Sequence, residues 1–369
     1  LYKYRAPFSQ AVRNNLEKHD VQYHVVYSDP PNLSKLKDDT TELDWATKTA
    51  IYYFGPQKYG FAFQNALGVL RTADLIIMQQ ENKLLLNYLL HLRRFFDIGK
   101  LAYFGHGRNF QKPLDGGFGD HLKRYLATKV DWWFAYNDLS ARIVESYGFP
   151  ASRITSFRNS IDMRRLLAEV ASISPKTLEE RRYAGRVLSK NVGIFVGGVY
   201  PEKRLPFLIE AAKRIREVVP DFELLIVGGG PDLEVTREAT SALEFIHLLG
   251  PIYGREKTEL ALLADVFLMP GLVGLAVLDS FAYGKPMFTT DYPYHSPEID
   301  YLIDGVNGRI VRPWQDVDTY ARAVIEFLNN HELRARLSSG ASAAATGYSI
   351  EDMAERFSTG VLRALEPDQ

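Results

Sequence analysis

Short apolar runs alternate with amphipathic stretches along the whole chain, and this alternation limits the possible folds more than any other feature. VQYHVVY (21–27), DLIIM (74–78), LAYFG (101–105) and WWFAY (132–136) are brief and largely apolar. Runs of that kind predict strands buried on both faces, and strands separated by helices predict parallel sheets in an α/β fold. A second series starts at VGIFV (192–196) and passes through a helical stretch carrying Leu205, Leu208, Ile209, Ala212, Ile215 and Val219. It continues with ELLIV (223–227), DVFLM (265–269) and PMFTT (286–290). Two similar halves result.

A chain of 369 residues also fits two domains better than one, at roughly 150 residues per domain. The expected organisation is a first domain over 1–165, a linker over 166–190, a second domain over 191–345 and a C-terminal helical segment over 346–369. The linker is placed where the breakers of SISPKT meet the fully charged EERR. The final helix, near 349–365, has no strand after it and is expected to cross back onto the first domain. LYKYRAPF enters a helix almost at once, so the opening strand of the first sheet is expected to precede this numbering.

Composition removes whole classes of function. There is no cysteine, so disulfide scaffolds, thiolate metal sites and cysteine nucleophiles are excluded. No run approaches the roughly 18 apolar residues of a membrane span, and no export signal opens the chain, so a cytoplasmic protein is expected. Net charge is +6 over residues 1–160 and −7 over 161–369. The basic first half either meets an anionic partner or is a solvated surface. After Asn82, residues Leu85, Tyr88, Leu89, Leu92 and Phe96 recur at helical spacing beside Lys83, Arg93 and Arg94. That helix packs on its own sheet or rests peripherally on an anionic membrane.

Ligands of doubly wound sheets bind outside the carboxyl ends of the strands, so loops there are the candidate sites. In VGGVYPEKR (196–204), Gly197 and Gly198 admit a close backbone approach and Lys203 and Arg204 supply positive charge, which suits a diphosphate; a plain tight turn explains the glycines equally. VGGGPD (227–232) has Leu233 where a dinucleotide fingerprint needs its third glycine, so a nicotinamide enzyme is disfavoured. LLGPI (248–252) ends at Ile252 in a turn whose backbone suits a flat base. MPGLVGLAVLDSFAYGKP (269–286) runs from strand to helix, with Gly271, Gly274 and Leu275 before the helix and Asp279 in its first turn. Asp279 either accepts from vicinal hydroxyls or stabilises the helix start. In the first half, His106 lies between two glycines at a strand end, either aimed at a ligand or structural. Glu81, at the end of the neighbouring strand, is a second catalytic candidate that either binds an acceptor hydroxyl or the transferred sugar or is a glutamate of a helix first turn, and Arg5 and Arg108 are placed to meet an anionic acceptor or solvent. No metal-ligand spacing, phosphate loop or nucleophile elbow is present, and nothing points to nucleic acid.

In order and spacing these segments resemble the GT-B-fold retaining glycosyltransferases of family GT4. The second half is similar throughout, from VGGVYPEKRLPFLIEA through LLADVFLMPG to AYGKPMFTT and SPEIDYLIDGVNGRIV. The first is similar more loosely, through YRAPF, FGHG, YNDLSARIV and RNSID. The resemblance implies two Rossmann-like domains across a cleft, a nucleotide diphosphate sugar as donor, a glycan or lipid-linked acceptor, retention at the anomeric carbon, and no metal or other cofactor. It implies Lys203 at the donor diphosphate, Asp279 at the ribose, the backbone of Gly274 and Leu275 at sugar and phosphate, and His106 beside the transferred sugar. The family's clamp arginine matches Gly198 and its first glutamate matches Gly271, so both side chains are missing. Arg204 is the candidate to replace the arginine. Two alternatives follow: a noncatalytic GT-B subunit, which would show no turnover, and a sugar-nucleotide epimerase, which would need no acceptor.

Overall fold

The computed structural model describes residues 3–29, 41–55, 60–92, 99–110, 118–184 and 189–367. The chain divides into two compact units, one made of Leu1–Asp162 with Ser349–Gln369 and the other of Met163–Tyr348.

The second unit is built on a six-stranded sheet, every pairing of which is parallel. Across the sheet the strands run Ile246–Gly250, Phe222–Val227, Asn191–Val196, Val266–Leu268, Met287–Thr290 and Gly308–Val311. The chain therefore starts in the middle, adds two strands on one side, then returns to add three on the other. Helices cover the sheet because their apolar stripes match it: Leu205–Val218 buries Leu205, Leu208, Ile209, Ala212 and Ile215, each such aliphatic contributing roughly 1.5–3 kcal/mol when fully removed from water.

The stretch expected to be a linker is not one. It carries helices Met163–Ala171 and Pro175–Ala184, both packed on helix Gly254–Leu263 of the second unit. Pro175 fits a first helical turn, and within the charged EERR the two glutamates are exposed and the two arginines half-buried.

The first unit holds a parallel sheet in the order Leu75–Gln79, Lys100–Gly105, Trp132–Ala135 and Ile154–Ser156. The strand expected over 21–27 shrinks to Val26–Tyr27, because its partner Thr47–Lys48 offers only two residues of ladder. An unexpected antiparallel hairpin pairs Ile51–Phe54 with Phe61–Gln64. Helix Leu85–His91 buries Leu86 and Leu90 and leaves Leu89 and Leu92 40% and 47% exposed, so its inward stripe is one residue off the expected one. Phe96, Arg93 and Arg94 lie outside the described residues. Among the described residues no helix is long and apolar enough to cross a membrane.

Helix Ile350–Leu365 does return to the first unit, as expected. Its Met353, Phe357 and Val361 share a core with Phe8, Val12 and Leu16 of helix Ala6–Glu17. Phe8 and Phe357 meet edge-on with centroids 5.3 Å apart. Gly360 lies so close to Thr155 and Phe134 that a β-carbon there would collide with both side chains.

Candidate functional site

In the second unit the strand order reverses between Asn191–Val196 and Val266–Leu268. Loops leaving two adjacent strands in opposite directions open a crevice at their carboxyl ends. Gly197 to Arg204 follow the first of these strands and Met269 to Leu275 the second, so segments about 70 residues apart in the chain meet there.

Lys203 is where they touch. Its side chain is 5% exposed, Nζ donates to the carbonyl of Leu272 at 2.6 Å, and Met269 Sδ lies 3.6 Å away. Among the described residues no carboxylate pairs with it. Burial alone draws its pKa from 10.5 down to about 8. Lys285 is also buried and also donates to a carbonyl, that of Leu262; burial lowers its pKa too, and Asp265 opposes that only in part, with Arg334 and Arg182 acting the other way. An ammonium without such an offset is stabilised by any anion that reaches it.

The turn that delivers Lys203 also explains two glycines. A β-carbon on Gly198 would stand 2.7 Å from Cε1 of Tyr200. A β-carbon on Gly271 would collide with the carbonyl oxygen of Glu202 and lie 2.6 Å from the carbonyl carbon of Lys203. Leu272 N–H donates to that same Glu202 oxygen at 2.8 Å. Segment 200–203 therefore covers both positions at which the resemblance places a long side chain. The glycines of VGGGPD have a related role: β-carbons on Gly228 and Gly230 would collide with the carbonyls of Gly197 and Val199, so this loop lies backbone to backbone on the first.

Arg204 adopts left-handed backbone, φ 59° and ψ 44°. Its guanidinium donates to Pro270 O at 3.2 Å and Thr290 Oγ1 at 3.4 Å. The rings of Phe207, Trp314 and Tyr292 surround it at 4.2, 4.7 and 5.6 Å. The group expected at the diphosphate is thus engaged with the fold's own carbonyl, hydroxyl and rings.

Past Gly271 the loop is fixed by His295, which sequence reasoning missed. Val273 N–H donates to Nδ1 of His295 at 3.0 Å, and Nε2 donates to Thr290 O at 2.8 Å. Burial lowers this histidine to about 4, keeping it neutral. Gly274 and Leu275 lead into helix Ala276–Ala282, where the Asp279 carboxylate meets Lys257 Nζ at 3.1 Å, both side chains about one-fifth exposed. Asp279 and Tyr283 outweigh burial and hold the Lys257 pKa above its usual value. Ile252 is half-buried in the turn before helix Gly254–Leu263.

In the first unit, His106 follows strand Lys100–Gly105 and precedes Gly107, whose φ of +79° turns the chain sharply. Its ring stacks on Tyr136 with centroids 4.0 Å apart, and its Nδ1 is buried without a hydrogen-bond partner among the described residues. Burial, with Lys123 and Arg5 nearby, lowers its pKa to about 4. Arg5 donates to Asn159 Oδ1 at 3.0 Å and to Tyr136 Oη at 3.1 Å. Arg108 lies over Phe110 at 4.4 Å, and that ring meets His106 edge-on. Three of the four expected residues thus gather around Tyr136 and Phe110. The side chain of Glu81 is exposed; its buried neighbour Gln80, 7% exposed and with Nε2 unpartnered among the described residues, packs against Gly105 instead.

Residues 177–343 match the family described as glycosyl transferases group 1. Over 152 residues the chain is 28% identical to a phosphatidyl-myo-inositol mannosyltransferase of Mycobacterium leprae, a stretch covering 40% of each protein. Over 150 residues it is 33% identical to a GDP-mannose-dependent alpha-(1-6)-phosphatidylinositol monomannoside mannosyltransferase of Mycolicibacterium smegmatis, covering 37% of this chain and 38% of that one. The chain thus matches about 40% of the length of these curated relatives. A glycosyltransferase of Rickettsia africae superposes over 100% of this chain and 97% of its own, with TM-score 0.70 and 14% identity. Anabaena HepE in complex with UDP and glucose superposes over 97% of this chain and 96% of its own, with TM-score 0.68 and 14% identity. The architecture is the GT-B one, with two Rossmann-like units.

Proposed function

We propose, for a chain whose second unit belongs to the group 1 glycosyl transferases, that it moves a sugar from a nucleotide diphosphate sugar to a glycan or lipid-linked acceptor. The observation that carries this reading is the buried Lys203 ammonium, which has no carboxylate partner among the described residues and stands where the strand order reverses. The relatives named for mannosyl transfer to phosphatidylinositol lipids and the fold neighbour holding UDP and glucose support the same class of donor and acceptor.

In this scheme the bond from the anomeric carbon to the diphosphate oxygen breaks as the acceptor hydroxyl oxygen bonds to that carbon and passes its proton to the departing diphosphate oxygen. Lys203 offsets the charge that grows on the departing diphosphate, in a site poor in water where such a contact counts most. Asp279 accepts from ribose hydroxyls while keeping its ion pair with Lys257. Neutral His106 hydrogen-bonds the transferred sugar, and the cluster of Arg5 and Arg108 takes the acceptor. Retention at the anomeric carbon and independence of metal complete the proposal; product stereochemistry by NMR and turnover in EDTA test them.

The decisive measurement is a melting panel with UDP, GDP, ADP, dTDP and CMP and their sugar conjugates. A ligand at 100 times its Kd adds about 2.7 kcal/mol, a shift of several degrees. One base class should raise the melt of the wild type and not of Lys203→Met. A panel with no shift at all, at millimolar ligand, would end the donor-site reading.

A further inference from the structure

We propose that Arg204 is a positioning residue for Lys203, holding the turn Pro201–Lys203 against the neighbouring strand ends so that the ammonium stays beside Leu272. Four observations converge on this role. Arg204 is one of three non-glycine residues with positive φ among the described residues, a conformation that side chains disfavour and that persists only when the surroundings impose it. It directly follows Lys203, and its backbone angles set how the turn Pro201–Lys203 joins helix Leu205–Val218. Its guanidinium is tied to Pro270 O and Thr290 Oγ1, and Thr290 Oγ1 in turn donates to Pro270 O at 2.7 Å. Pro270 is two residues from Leu272, whose carbonyl accepts from Lys203 and whose N–H donates to Glu202.

The turn is therefore pinned on both sides of Lys203. On one side Glu202 O seats on Gly271 and Leu272; on the other Nη1 of Arg204 donates to both Pro270 O and Thr290 Oγ1, with the guanidinium held inside the rings of Phe207, Trp314 and Tyr292. Arginine suits this place because its planar group bonds in two directions while its faces stack on rings. The titratable groups that face the Lys203 ammonium are Tyr200, with its ring centroid 5.6 Å away, and His295, which is neutral. The charge state of Lys203 thus reports mainly how deeply the turn is seated.

The effect on nucleotide binding rests on the reading of Lys203 as the diphosphate contact, but the effect on Lys203 itself does not. The test uses the full chain labelled with ¹³Cε-lysine, the Lys203 resonance being assigned by its loss in Lys203→Arg. The wild type should titrate at about 8. In Arg204→Gly, which relieves the backbone and removes the clamp, the midpoint should rise at least one unit towards 10.5. Arg204→Lys, which keeps a cationic donor but has no planar face for the rings, should fall between and serves alone where Arg204→Gly does not fold. Affinity for whichever nucleotide stabilises the wild type should drop about tenfold in Arg204→Gly, as for one lost charge-assisted contact. An unchanged Lys203 midpoint overturns the proposal, even if the melting temperature falls. An unchanged midpoint with a tenfold loss of affinity also overturns it and makes Arg204 a direct nucleotide contact. If no nucleotide binds the wild type, the donor reading fails and the midpoint alone decides the role of Arg204.

Discussion

The backbone N–H of Val273 donates to Nδ1 of His295 at 3.0 Å, while Nε2 of the same ring donates to Thr290 O at 2.8 Å. One buried imidazole thus fastens the loop before helix Ala276–Ala282 to the end of strand Met287–Thr290. His295→Ala leaves both backbone groups buried and unpaired and should cost roughly 2–5 kcal/mol. His295→Asn keeps an acceptor for Val273 and should recover part of the loss, as read from denaturant unfolding. The folded pKa of about 4 lies below the ordinary 6.5, so the unfolded chain takes up the proton first. Stability is therefore full above 6.5 and falls as pH drops towards 4, by up to about 3 kcal/mol from this residue. His295→Asn should flatten that part of the curve.

Lys203 should show two opposite pH trends. Its folded pKa, about 8, also lies below the unfolded value of 10.5, and between these limits the unfolded chain holds more protons, so stability rises with pH across the window by about 3 kcal/mol. Nucleotide affinity should fall across the same window as the ammonium is lost. Calorimetry at pH 8.5 in buffers of different ionisation enthalpy should detect proton uptake on binding in the wild type and none in Lys203→Met.

Restoring a long side chain at Gly198 or Gly271 should damage the site. At Gly271 the obstacle is the backbone of Glu202 and Lys203, so even Gly271→Ala must dislodge the turn and should cost about 2 kcal/mol or more together with nucleotide affinity. At Gly198 the obstacle is the Tyr200 ring, which a rotamer change can move. Tyr200→Ala should therefore rescue Gly198→Arg and leave Gly271→Ala uncorrected, as melting temperatures of the double variants will show.

Asp279→Asn should reduce affinity for a ribonucleoside diphosphate more than for its 2′,3′-dideoxy counterpart, if its carboxylate accepts from those hydroxyls. Equal losses for both ligands would make the ion pair with Lys257 purely structural. Lys257→Met, which leaves the carboxylate alone in its half-buried place, should weaken both the fold and the ribose preference.

His106→Gln should lower turnover about tenfold, as for one misplaced hydrogen bond to the transferred sugar, with little change in nucleotide Kd. At pH 7 the ring is neutral, its pKa being about 4, so the pH–rate profile should carry no limb near 6.5. A limb there, absent from the His106→Gln variant, would mean that the ring titrates in the working enzyme.

Strands such as 192–196 and 223–227 are readable because parallel strands buried on both faces must be apolar throughout, and the stripe of helix Leu205–Val218 because it has one inward face. The absence of side chains at Gly198 and Gly271 is readable too. Their cause is not, since it depends on where segment 200–203 settles against residues about 70 positions away. His295, Lys257 and Gln80 escape for the same reason: a buried histidine holding two backbone groups has no local spacing to announce it. Arg204 misleads because sequence shows a cation beside a cation, while its direction is set by a left-handed backbone angle. Helix Leu85–His91 shows the opposite limit, where leucines at every phase let packing choose the stripe.

The first unit is written in two pieces, Leu1–Asp162 and Ser349–Gln369, with the whole second unit between them. On the ribosome, the segment that seals Phe8, Val12, Leu16 and Phe134 emerges only after the whole second unit. The second unit is therefore fully synthesised while the first still lacks part of its core. A stalled or prematurely ended chain would display that aromatic surface to chaperones and proteases, so quality control during synthesis bears on the half that carries His106 rather than the half that carries Lys203.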